Sequence, residues 1–176
     1  MSKIIFAFLL IPFFGNAQLA KKVIDEYTGE VRYESEWAKL NESTWTAGYL
    51  AYVRFHFVDS SFVFELKTTT QGSVVSIDKG ADFHIKFTDG SVIELTNEEY
   101  AITSIGEGAI GMSGSEALGL NLFFVVDRGT IEAISEKSIE KCRLMTSGGP
   151  MEIIPSKRKF PEDVSLKAKH LLLLLE

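Results

Sequence analysis

A mainly β, antiparallel fold closed by a C-terminal helix is what three observations in this sequence predict. Tyr49–Thr70 and Asp82–Asn97 alternate apolar and polar residues with period two around turn residues. Leu120–Val126 is a nearly continuous apolar run, and Pro161–Leu175 places Val164, Ala168, Leu171, Leu172 and Leu175 at helical spacing. The expected architecture is a sandwich or partly open barrel of about eight to ten strands with the helix packed on it, and a pleckstrin-like barrel is the second arrangement considered.

The chain of 176 residues fits one domain, and 45% hydrophobic residues with 13 Phe supply a sizeable core. Met1-Ser2-Lys3, the apolar Ile4–Phe14 and Gly15-Asn16-Ala17 read as a secretory signal over residues 1–17, leaving 18–176 as a single β-rich domain. The apolar run is too short to cross a bilayer and no cysteine follows the cleavage site, so neither a membrane span nor a lipid anchor is expected. Export to the periplasm or the exterior is the expected localisation. Cleavage removes only Lys3 from the 18 basic residues, leaving 17 against 24 acidic ones, net −7. That balance excludes nucleic acid as the main partner. Cys142, the single cysteine, has no intramolecular partner and reads as a small buried hydrophobe.

In chain order, Lys22–Trp37 suggests a hairpin turning at Thr28-Gly29-Glu30, with Val31, Tyr33 and Trp37 on one face and the character of an edge pair. Lys39–Ala47 reads as a polar connection, and Asn41-Glu42-Ser43 within it matches a glycosylation sequon of a surface loop. In the Tyr49–Thr70 hairpin a turn at Asp59-Ser60 pairs Phe57 with Phe62, Phe55 with Phe64 and Val53 with Leu66. The same count sets Arg54 against Glu65 on the other face. In the second hairpin, a three-residue loop Thr88-Asp89-Gly90 with Gly90 left-handed places Phe83 by Leu95, Ile85 by Ile93 and His84 by Glu94. A two-residue loop would mix charged and apolar positions.

Short strands are expected at Ser73–Asp78 and Ala101–Ile105. Gly106–Gly119 reads as a long mobile glycine-rich loop, a usual place for binding surfaces. Leu120–Val126 is expected to be a central strand buried on both faces, Thr130–Lys137 one or two helical turns, and Ile139–Ile154 a last hairpin with a glycine-rich turn. The terminal helix starts at Pro161-Glu162-Asp163.

Familiar catalytic patterns are incomplete. Gly106-x-Gly108-x-x-Gly111 matches the dinucleotide fingerprint formally, yet no amphipathic helix or βαβ unit accompanies it. Ser113 stands in Gly111-Met112-Ser113-Gly114-Ser115, which lacks the last glycine of a nucleophile elbow. His56, His84 and His170 show no zinc-binding spacing, so no metal and no cofactor is expected. His56 and His84 share outward parity, so a His56/His84/Glu94 cluster forms if their faces meet; solvated polar faces are the alternative. Glu34 and Glu36 alternate on one strand face, where exposed residues are the usual reading. Trp37 and Tyr49 have inward parity. The binding candidates are thus His56, His84, Glu94, Gly106, Gly108, Gly111 and Ser113.

Asn16-Ala17-Gln18 at the end of the signal, the pattern Ile85-x-Phe87-x-Asp89-Gly90-x-x-Ile93-x-Leu95, the pattern Ile139-x-Lys141-x-Arg143-Leu144-x-Thr146-x-x-Gly149 and the leucine-rich terminal helix occur in that order. In this the chain resembles a broad group of uncharacterised exported proteins of Gram-negative bacteria, over the last half of the mature chain. The resemblance implies location and fold, and brings no catalytic residues with it. The function expected is an exported non-enzymatic module binding a protein, glycan or small ligand through the Gly106–Gly119 loop or a strand edge. A hydrolase with dispersed histidines and carboxylates, or a lipocalin-like carrier whose Phe side chains line a cavity, are the alternatives.

Overall fold

A computed structural model describes residues 19–42, 49–107 and 117–176. The expected signal segment and most of the Gly106–Gly119 loop lie outside them. The elements in order are β1 (Ala20–Ile24), β2 (Val31–Ser35), β3 (Ala38–Asn41), β4 (Ala51–Val58), β5 (Ser61–Thr69), β6 (Ser76–Ile77), β7 (Asp82–Phe87), β8 (Val92–Thr96), β9 (Ala101–Ile102), β10 (Ser104–Ile105) and β11 (Leu118–Val126). Helix α1 (Arg128–Glu136), β12 (Ile139–Thr146), β13 (Gly149–Ile153) and helix α2 (Lys159–Leu174) complete the chain. A large antiparallel sheet runs β1-β2-β4-β5-β11-β10, with β3 also paired to β4. A smaller one runs β13-β12-β7-β8, and β6 pairs with β9. The sheets are open, so the fold is not a closed barrel. The two-residue strands β6, β9 and β10 take the strand number above the expected range.

Both central hairpins have the register their alternation predicts. Phe57 faces Phe62, Phe55 faces Phe64, Val53 faces Leu66 and Arg54 faces Glu65. The turn between them is built on Asp59 and Ser60 with φ of 48° and 64°, the two left-handed residues of a hairpin turn whose twist matches its strands. In the second hairpin Phe83 faces Leu95, His84 faces Glu94 and Ile85 faces Ile93. Gly90 sits at φ 86°, and its amide donates to the Phe87 carbonyl at 3.0 Å.

The core lies between the sheets. Phe83 of β7 packs on Phe124 of β11 and Phe64 of β5 at ring separations of 5.3 and 5.8 Å, all three fully buried. Helix α2 covers the other part of the large sheet, lying against β1 to β4 and against α1. It buries Phe160, Val164, Ala168, Leu171 and Leu172. Helix α1 is longer than expected because Asp127 caps it, accepting from the Thr130 amide at 2.7 Å. Among the described residues no helix is long and apolar enough to cross a membrane.

Four expectations change. The first strand ends at Ile24 and the loop of the first hairpin runs over residues 25–30, three residues longer than expected, with the Asp25 amide on the Glu30 carbonyl and the Asp25 carboxylate accepting from the Tyr27 and Thr28 amides. Lys39 and Leu40 are strand, not connection, because pairing with β4 satisfies their backbone and α2 covers Leu40 completely. Asn41 is 4% exposed and not a surface-loop residue: its amide nitrogen donates to the Tyr49 carbonyl and its oxygen accepts from the Ser156 amide. β11 is buried on one face only. Phe124 is inside, while Phe123 and Val125 are 50% and 60% exposed, since no layer among the described residues covers the outer face of the large sheet there.

Candidate functional site

The outer face of the large sheet carries an ionic network. Pairing of β2 with β4 sets Glu34 beside His56, and pairing of β4 with β5 sets Arg54 beside Glu65. Glu65, 2% exposed, accepts from Arg54 at 2.7 Å and faces His56 Nε2 at 2.7 Å. Glu34 lies 3.6 Å from Arg54, 3.9 Å from His56 Nδ1 and 3.2 Å from Lys21. Trp37 stacks over the Arg54 guanidinium at 4.5 Å, so it lies on this outer face and not, as its parity suggested, in the core. Burial by itself raises the Glu65 pKa, but the hydrogen bonds from His56 and Arg54 outweigh it and hold the carboxyl below its usual value. His56 Nε2 is taken up by Glu65, while Nδ1 faces Glu34 at 3.9 Å, beyond hydrogen-bond reach. Glu36 lies beyond the end of β2 and is exposed, so it forms no couple with Glu34.

His84 and Glu94 occupy the outer face of the small sheet. His56 and His84 each alternate with a core phenylalanine, Phe55 and Phe83, and those two faces look toward each other across the core. The histidines therefore point out of opposite sides of the molecule, and the His56/His84/Glu94 cluster does not form. What the structure brings together instead is His84 with Glu94, Nε2 to Oε2 at 3.4 Å, and Asp82 two residues earlier on β7. A hollow of about 350 Å³ adjoins His84, floored by Lys86, Lys141 and Arg143. The Cys142 thiol, buried on the inner face, has its pKa pushed up by that burial and is no nucleophile.

The third feature is a cleft at the seam between the sheets. β11 pairs with β5 along its length, but its other edge pairs only at Leu118 and Gly119, with β10. From Leu120 to Val126 that edge meets no strand among the described residues; β8 and β9 approach it without pairing. The opening, about 350 Å³, is lined by Asn97, Glu98, Glu99 and Tyr100 on one side and Asn121, Phe123 and Val125 on the other. Tyr100 is 60% exposed, and the buried Oδ1 of Asn121 has no hydrogen-bond partner among the described residues. Nothing in the sequence points to this cleft, because alternation assigns β11 to a sheet without saying where the sheet stops.

Gly106 lies at φ 86° and donates its amide to the Ala117 carbonyl, closing the base of the glycine-rich loop. Gly108, Gly111 and Ser113 lie outside the described residues. The fold and these sites define a mainly β protein of antiparallel sheets with a C-terminal helix packed on the larger one. Comparison with protein-family models, with curated proteins and with solved structures finds no match to this chain.

Proposed function

We propose that the protein is an exported, non-enzymatic binding module that takes an extended segment of a partner protein onto the free edge of β11. Export is supported by the composition of residues 1–17. The observation that carries the reading is that edge: several residues of apolar strand with one side of the backbone unpaired among the described residues. Proteins ordinarily blunt such edges with charge, proline or a covering element, because an open ladder invites another strand. A strand added there would gain main-chain hydrogen bonds, while Phe123, Val125 and Tyr100 supply apolar contact for alternate side chains. Glu98, Glu99 and the unpartnered Asn121 oxygen are all acceptors, so basic and donor-rich segments fit best. The Phe64, Phe83 and Phe124 rings pack on one another instead of lining a cavity, which favours a binding module over a carrier of apolar ligands.

Selection of a displayed library of linear peptides on the mature domain tests this. Sequences alternating apolar residues with Lys or Arg should be enriched, and binding should protect amides of Leu120–Val126 from hydrogen exchange. Phe123→Lys should weaken the selected peptides about tenfold or more with stability unchanged, since the residue is half exposed. Failure to select any peptide, or protection mapping to another edge, rules the reading out.

A further inference from the structure

We propose that Asp82, His84 and Glu94 form a binding site for a divalent transition-metal ion of the Zn²⁺ class, on the outer face of the small sheet. Asp82 and His84 are two apart on β7 and so point the same way, and the hairpin register places Glu94 directly opposite His84. One ligand atom from each residue lies within 4.8 Å of the other two. The His84 Nε2 to Glu94 Oε2 separation of 3.4 Å is already that between two ligands on a tetrahedral ion with bonds of about 2.0–2.1 Å. Small rotations of partly exposed side chains close the remaining gap, on a backbone that the β7–β8 and β7–β12 ladders hold from both sides.

The bases that floor the adjoining hollow are drawn to other carboxylates: Lys86 to Glu140 at 2.8 Å, and Lys141 and Arg143 together to Glu152. Asp82 and Glu94 have no Lys or Arg partner among the described residues, so two carboxylates share one imidazole. A divalent ion balances them. One nitrogen and two oxygen ligands without a thiolate suit Zn²⁺, Mn²⁺ or Co²⁺ rather than the soft thiolate-seeking ions, and the imidazole disfavours Ca²⁺ and Mg²⁺. Three protein ligands leave positions open to water or to a donor group of another molecule. The site is independent of the β11 cleft.

The test is calorimetric titration of the chelator-treated mature domain with ZnCl₂, supported by Co²⁺ absorption and thermal melting. One ion per chain, a raised melting temperature and an absorption band of low-symmetry Co²⁺ are expected. His84→Ala, Glu94→Gln and Asp82→Asn should each weaken binding about tenfold or more, while His170→Ala leaves it unchanged. All four positions are at least partly exposed, so the variants should fold, as circular dichroism will verify. Absence of binding by Zn²⁺, Mn²⁺ and Co²⁺ alike, or binding that survives His84→Ala, overturns the proposal.

Discussion

Glu65 is a carboxylate taken almost wholly out of water, and it is tolerable only because Arg54 and His56 both meet the same oxygen. Removing one partner of such a group leaves the others uncompensated. Glu65→Gln should therefore lower stability by about 3 kcal/mol near neutral pH, read by urea unfolding. The acid limb follows from the sign of the shift. A carboxyl whose folded pKa is depressed adds stability above its unfolded value of 4.5, and that stability fades as pH falls through the lower folded value. Stability of the wild type should consequently fall more steeply than that of Glu65→Gln below about pH 4.5. Parallel curves, or a variant as stable as wild type, would show that the network carries no weight. The Arg54–Glu65 pair was readable in the sequence, since both residues lie on one hairpin. The addition of Glu34 was not, because it depends on β2 choosing β4 as its neighbour, and Trp37 escaped its apparent parity because β2 ends before it.

At the scale of elements, local chemistry settles hairpins and capped helices well. Gly90 at positive φ and the left-handed Asp59-Ser60 pair fix loop length, and loop length fixes which residues oppose each other. β3 shows the opposite case. Lys39, Leu40 and Asn41 within it read as a connection because a single leucine among polar neighbours carries no periodicity, and only the pairing with β4 and the cover of α2 make them strand. The helix itself can be tested by contrast. Leu171 is fully buried against the sheet, whereas Leu173 is 53% exposed. Leu171→Ala should cost about 2–5 kcal/mol through lost contact and a residual cavity, and Leu173→Ala less than about 0.5 kcal/mol. Equal effects in denaturant titration would mean that α2 does not pack by the stripe described.

For the whole molecule the decisive contact is the meeting of Phe64 and Phe124 with Phe83, which joins the two sheets into one core. Phe83→Ala should destabilise by about 3–5 kcal/mol. Because the core is shared, tryptophan fluorescence and far-ultraviolet circular dichroism should still report one coincident transition. Separate transitions would mean that the small sheet unfolds alone. The amino-acid order by itself determined strand alternation, the register of the two central hairpins, the left-handed Gly90 and the apolar stripe of the last helix, since each depends on residues close in sequence. Only the tertiary structure decided which faces are covered, that β11 shows Phe123 and Val125 to solvent, that His56 and His84 part company, and that Asp82 joins Glu94. The physical reason is that alternation tells a strand's two faces apart, whereas burial requires a second layer, and where that layer ends is set by contacts distant along the chain.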